Sequence, residues 1–490
     1  MRKSGILMHI SSLPGPYGIG TFGKYAYDFI DFLHAGGQAY WQLLPLSPTG
    51  YGDSPYQSFS TFAGNPYFID PELLIGQALL TGKEIQFFRW FDEEEKVDFG
   101  CLYRNRPKVL KQAFQRFSPD ANYRKFLNDN ADWLPDYALF MALKEHFNGC
   151  CWQDWPEEFR LRRPETLEQY RQTSAGEIEF QYFLQYEFYL QWTNLRRYAS
   201  EKGIRIIGDV PIYVPLDSAD VWSNYQLFQL DDHRRPARVA GCPPDSFSAN
   251  GQLWGNPLYD WNKIHETGYE WWIRRLKAAA QRYDVIRLDH FRGFEGYWSV
   301  PADESTAING KWAPGPGREF IQTIQQALPD TEFIAEDLGF LTPEVKQLQQ
   351  DSGWPGMKVI QFAFDSREAG DYLPHLYPVN SVCYSGTHDN LTLKQWFSDA
   401  APKDVQSAKA YLGLHREEGL VWGMIRGCMG SVSRLCIIQM QDYLELGKEA
   451  RMNTPGLLSK QNWTWRAGAD MFSDRLAQKI RTITERYGRL

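Results

Sequence analysis

Short apolar runs bounded by turn residues recur along the chain. They fall at Ile6 to Ile10, Tyr40 to Leu46, Ile204 to Val210, Val285 to Leu288, Phe333 to Ala335, Val359 to Phe364, Val382 to Tyr384 and Leu435 to Met440. Each is of strand length, and together they predict eight parallel strands. Helical patterns stand between several of them. One covers Tyr25 to Leu33; another covers Phe183 to Ala199, with Leu184, Phe188, Trp192 and Leu195 on one face and Gly203 just past its end. Strand and helix in alternation predict an α/β chain folded as a (β/α)8 TIM barrel in preference to an open sheet.

The whole chain, 1–490, therefore reads as one barrel, with two gaps too long for a single crossover. The first, 68–182 after strand 2, carries helical patterns such as Val109 to Phe117 and Tyr137 to Phe147, and is expected to be a helical inserted subdomain. The second, 213–283 after strand 3, is dense in Pro, Gly, Asn and Trp. It is expected to be a loop-rich insertion that lies over the barrel mouth as a lid.

Composition narrows the function classes. With 52 basic and 60 acidic residues the net charge is -8, a balance that offers no field for phosphates, so nucleic acid and anionic membrane are poor partners. No stretch approaches the roughly 20 apolar residues of a membrane span. The basic start lacks a continuous apolar run before a small-residue cleavage site, and seven cysteines show neither a paired framework nor metal spacing, so the expected location is cytoplasmic. Aromatic residues make up 15% of the chain, many in Gly- and Pro-rich segments. They are either sugar-stacking platforms or fillers of a large core.

Three acidic residues each follow a predicted strand: Asp289, Glu336 and Asp389. They are spaced by roughly 50 residues, so a barrel brings all three to one rim. Glycoside cleavage needs one carboxyl that stays protonated and one that stays ionised on opposite sides of the bond. Arg287, two residues before Asp289, projects to the same face of a strand and would hold that carboxylate ionised; a structural ion pair at a strand end is the alternative. Glu336 ends an apolar strand, where desolvation raises a carboxyl pKa. Its neighbour Asp337 fits the start of the following helix better. His388 and Asp389 after Gly386-Thr387 could bond sugar hydroxyls. No HExxH pair, nucleophile elbow or dinucleotide fingerprint is present.

Longer motifs carry a resemblance. His9-Ile10-Ser11-Ser12-Leu13-Pro14-Gly15-Pro16-Tyr17-Gly18-Ile19-Gly20, Tyr51-Gly52-Asp53-Ser54-Pro55-Tyr56-Gln57, Gly208-Asp209-Val210-Pro211-Ile212-Tyr213 and Trp254-Gly255-Asn256-Pro257 come first. Arg287-Leu288-Asp289-His290-Phe291-Arg292-Gly293, Ala335-Glu336-Asp337-Leu338-Gly339 and Gly386-Thr387-His388-Asp389-Asn390 follow. Nearly end to end, the chain resembles 4-α-glucanotransferases of the amylomaltase or disproportionating-enzyme type, glycoside hydrolase family 77 of the α-amylase clan. The resemblance implies Asp289 as nucleophile, Glu336 as general acid/base and Asp389 as transition-state stabiliser. It implies Asp209, Arg287 and His388 as residues that orient the donor sugar. Tyr56, Ser54 and Asp53 fall in an early loop, Trp254, Asn256 and Pro257 in a lid, and Tyr51 at a position lining a second glucan groove in some members.

One departure stands near the end. The family's Arg-x-Asn-x-Pro is kept as Arg451 to Pro455, but Gln461 replaces Gly before Asn462-Trp463-Thr464-Trp465-Arg466. If that position needs a positive φ, the contacts of Asn453 and Asn462 are at stake. The activity implied is transfer of α-1,4-glucan segments to a maltooligosaccharide or glucose, without a cofactor, by a monomer or weak oligomer. An α-amylase-like hydrolase using the same acids, and a catalytically silent glucan-binding barrel, are the rival readings.

Overall fold

The computed structural model describes residues 2–244, 248–339, 341–367 and 372–490. Its strands, in chain order, are β1 (Lys3–Leu7), β2 (Tyr40–Gln42), β3 (Arg205–Val210), β4 (Arg238–Cys242), β5 (Gln252–Pro257), β6 (Val285–Leu288), β7 (Gly296–Pro301), β8 (Lys311–Pro314), β9 (Glu332–Ala335), β10 (Gly356–Val359), β11 (Ser381–Tyr384) and β12 (Leu435–Gln439). Eight of them form a parallel sheet in the order β10-β11-β12-β1-β2-β3-β6-β9. The Ala335 N–H donates to the Pro355 carbonyl (3.0 Å), which joins the β9 edge to the segment entering β10 and draws the sheet into a barrel. Asp337 takes part in that closure. Its carboxylate accepts from the Met357 N–H (2.6 Å) and lies where a Cβ on Gly356 would sit, so it is a brace between strands, while Thr342 caps the following helix.

Side chains from several strands meet in the barrel interior. The Tyr384 hydroxyl on β11 donates to Gln42 Oε1 on β2 (3.0 Å), and Arg287 on β6 reaches Asp209 on β3 and the Met357 sulfur on β10. Two strands lie a few residues from their apolar runs. β1 begins at Lys3 and β10 at Gly356 because small residues are needed there: a Cβ on Gly5 would come within 2.5 Å of the Tyr40 carbonyl. The apolar residues beyond these strands turn instead into the 3-10 segments Ile10–Ser12 and Ile360–Phe364.

Helices cover the outside. Lys24–Ala35 buries Phe29, Ile30 and Leu33, with Phe29 edge-on to Trp41 of β2 (5.1 Å). The 27-residue helix Ala175–Glu201 buries Phe183, Phe188, Trp192 and Leu195; Phe188 occupies the space a Cβ on Gly64 would need. Each such side chain withdrawn from water contributes about 1.5–3 kcal/mol. The span 68–182 contains a succession of helices, from Pro71–Gly76 to the start of Ala175–Glu201. The span 213–283 is more regular than its Pro and Gly content predicts. β4 and β5 from this span pair with β7 and β8 as an antiparallel sheet in the order β5-β4-β7-β8, followed by helices Trp261–Glu266 and Glu270–Arg282.

Candidate active site

Parallel register fixes the site. Leu288 on β6 pairs with Ala335 on β9, so the next residues, Asp289 and Glu336, leave neighbouring strands at the same level. Neighbouring strands lie about 4.7–4.9 Å apart. Asp209 pairs with Arg287 one strand over. The Arg287 guanidinium is buried, and its Nη1 donates to both oxygens of Asp209 and to Asp289 Oδ1, each at 2.8 Å. These acidic neighbours outweigh burial and hold Arg287 protonated. The side chain of Asp209 is 1% exposed and that of Asp289 27%. Asp289 therefore faces the cleft, while Asp209 stands behind Arg287 as its anchor.

Glu336 is held by backbone. Its Oε2 accepts from the His290 N–H (2.7 Å) and its Oε1 from the Leu338 N–H (2.9 Å). His290 has a left-handed backbone (φ 54°), which turns the chain sharply at the end of β6. Burial, with Asp289 adding to it, raises the Glu336 carboxyl to about 8; Arg287 and the two N–H groups pull the other way without cancelling this. At neutral pH Glu336 holds a proton.

Asp389 forms the third corner. Its side chain is 44% exposed, its Oδ1 accepts from Asn453 Nδ2 (2.6 Å), and its Oδ2 lies 3.4 Å from His388 Nε2. His388 stacks on Tyr56 at 4.8 Å, and Trp463 lies 5.9 Å from both rings. The Tyr56 hydroxyl donates to Asp209 Oδ2 (2.6 Å), which leaves its oxygen to accept from His388 Nδ1 (3.3 Å). One chain of contacts thus runs from Asp289 through Arg287, Asp209, Tyr56 and His388 to Asp389. Trp463 is a member that strand-end reasoning missed, because no local pattern distinguishes it from a core tryptophan.

The remaining predicted residues sit further out. Ser54 Oγ accepts from the Tyr56 N–H (3.2 Å) and Asp53, in a left-handed conformation, accepts from the Tyr103 hydroxyl, so both shape the early loop. The side chain of Tyr51 lies outside the described residues. Trp254 on β5 meets His290 edge-on at 4.8 Å. With Gly255 and Asn256 it faces Gly50, Gln57 and Phe59 of the early loop across a cavity of about 150 Å3. Asn256 and Pro257 are buried in and beside the sheet. Asn462 Oδ1 accepts from the Thr454 N–H (3.2 Å) and its Nδ2 donates to the Leu457 carbonyl (2.8 Å), fixing the loop that carries Asn453. Gln461 is not among the positive-φ residues; the left-handed position is Trp463 (φ 66°), so Gln in place of Gly is accommodated.

Comparison with known proteins gives a consistent result. Residues 8–470 match the glycoside hydrolase 77 family, described as 4-alpha-glucanotransferase. A 4-alpha-glucanotransferase of Clostridium butyricum is 49% identical over 98% of this chain and 100% of its own length, and one of Thermus thermophilus is 44% identical over 100% and 99%. An amylomaltase of Streptococcus agalactiae, solved in complex with acarbose, is 40% identical and superposes over the full length of both chains with a TM-score of 0.97. An amylomaltase of Corynebacterium glutamicum, at 17% identity, shares the fold over all of this chain and 75% of its own, with a TM-score of 0.80.

Proposed function

The chain belongs to the 4-α-glucanotransferases of glycoside hydrolase family 77 and has that activity, and on this premise we propose that it transfers α-1,4-glucan segments by a retaining double displacement centred on Asp289. The observation that carries the proposal is the placement of Asp289 and Glu336 side by side at the ends of adjacent strands, one partly exposed carboxylate bonded to Arg287 and one buried carboxyl whose pKa is raised. Retaining enzymes set their two carboxyls about 5–5.5 Å apart, a separation that side chains leaving adjacent strands at one level can adopt; inverting enzymes need about 6.5–9.5 Å for an intervening water.

In the first step the Asp289 carboxylate attacks the anomeric carbon while Glu336 gives its proton to the departing glycosidic oxygen, so the new sugar chain leaves with its 4-hydroxyl complete. Arg287 orients the attacking carboxylate, and Asp389 stabilises the positive charge that builds on the sugar. In the second step Glu336, now ionised, takes the proton from an acceptor 4-hydroxyl, and that oxygen displaces Asp289. Two inversions restore the α configuration. Transfer requires that sugar displace water from the acceptor side, a role we give to Trp254 and the early loop, with Tyr56 and His388 bounding the donor sugar. Maltooligosaccharides are the donors, and maltooligosaccharides or glucose the acceptors. Among the described residues no helix is long and apolar enough to cross a membrane. We propose that the enzyme is cytoplasmic and a monomer or weak oligomer.

Incubation with maltotriose separates transfer from the α-amylase-like alternative. The proposal expects glucose together with a ladder of longer maltooligosaccharides; glucose and maltose alone, in equal amounts, would mean that water takes the glucosyl group. The acid role of Glu336 also sets a pH profile. Because its pKa is raised, the proton is present below about 8 and lost as pH rises through it, so kcat/KM should fall on the alkaline side with a midpoint near that pH. The same limb persisting in Glu336→Gln would assign it to another group.

A further inference from the structure

The turn that carries His388 and Asp389 is clamped at its base by three buried polar side chains that do not reach the cleft. Asp442, in the short helix after β12, accepts from the Ser385 hydroxyl through Oδ2 (2.6 Å) and from the Leu393 N–H through Oδ1 (2.6 Å), one residue on either side of the turn. Gln361 Nε2 donates to the Ser385 and Leu391 carbonyls (2.9 and 2.8 Å), and Gln439 donates through Nε2 to the Leu391 carbonyl (3.5 Å) and through its backbone N–H to Ser385 Oγ (3.1 Å). Gly386 rests directly on these amides: a Cβ there would lie 2.3 Å from Gln439 Nε2 and 2.8 Å from Gln361 Nε2.

We propose that Asp442 is a positioning residue for Asp389, setting the height of the 385–393 turn and with it the distance from the Asp389 carboxylate to the sugar. Even with the Ser385 hydroxyl, the Leu393 N–H and the Gln439 side chain bonded to it, burying a carboxyl is costly compared with burying an apolar side chain, so stability alone gives little reason for an acid at this position. Both ends of the turn meet on its two oxygens, which a single-acceptor side chain cannot reproduce. The inference rests on the proposed role of Asp389 and goes beyond it.

A double-mutant cycle on the full-length enzyme, with maltotriose as substrate and melting temperature as control, tests this. Asp442→Asn keeps shape but can accept from only one of the two donors. Displacement of a reacting group by about 1 Å costs up to about 100-fold in rate. A kcat loss of about 10- to 100-fold with a KM change under about 3-fold is therefore expected in the native background. In an Asp389→Asn background, where there is no carboxylate to position, the further loss should be under about 3-fold. Ser385→Ala, which removes only one arm of the clamp, should give a smaller kcat loss of the same kind without loss of folding. Equal fold losses in both backgrounds, or a loss that follows melting temperature alone, would reduce Asp442 to a structural role. Full kcat in Asp389→Asn itself would overturn the reading of the site, and the positioning role with it.

Discussion

Asp289→Asn is expected to lower disproportionation by at least about 10,000-fold, about 5.5 kcal/mol of transition-state stabilisation, with the fold intact. An amide cannot form the ester to the anomeric carbon, so both half-reactions are lost. Folding survives because Arg287 keeps its two contacts to Asp209, which leaves no buried cation orphaned, and because the 289 side chain is partly exposed. A donor with a better leaving group, such as α-glucosyl fluoride, should not rescue the variant, since the missing part is the nucleophile. The check is the initial rate with maltotriose and with the fluoride, alongside a thermal melt. Activity within about 100-fold of the native enzyme would mean that Asp289 is the structural partner of Arg287 that its motif alone also allows.

Glu336→Gln is expected to lower transfer from maltotriose by about 100- to 10,000-fold, the range of general acid–base catalysis. Here the donor matters. Fluoride leaves without a proton, so α-glucosyl fluoride should restore the first half-reaction. The second stays slow because no base removes the acceptor proton, and azide, which has no proton to lose, should speed it. Glutamine retains an acceptor for one of the His290 and Leu338 N–H groups, so stability is expected to fall by no more than about 1–3 kcal/mol. Rescue by fluoride in Glu336→Gln but not in Asp289→Asn distinguishes acid from nucleophile.

The barrel was legible because buried parallel strands are short, continuous and apolar, and all eight runs overlap or adjoin a strand. Boundaries drifted where crowding demands glycine, by the Tyr40 carbonyl at Gly5 and by the Asp337 carboxylate at Gly356, since a strand that opens on Lys3-Ser4-Gly5 has no apolar signal. The antiparallel sheet was hidden for a similar reason. β5 ends in Gly255-Asn256-Pro257 and β8 is Lys311-Trp312-Ala313-Pro314, both turn-like in composition, and the pairing of β4 with β7 that joins the two hairpins is far off in sequence. At the site, strand ends gave the three carboxylates, and the two-residue spacing of Arg287 and Asp289 gave their contact. What one chain could not show was pairing over long separations, such as Tyr56 with Asp209 and His388, or Asp389 with Asn453. Family motifs supplied several of those names, and the structure supplies the contacts. The brace at Asp337 and the clamp at Asp442 were invisible in sequence because each acts on backbone N–H groups of distant segments.

The most direct test of the covalent mechanism is peptide mass spectrometry of Glu336→Gln quenched in acid during turnover of α-glucosyl fluoride. The account predicts a glucosyl group on the peptide containing Asp289, in an ester that azide discharges and that is absent from Asp289→Asn. An unmodified peptide under conditions where fluoride is released in a burst, or a glucosyl group on another residue, would contradict it.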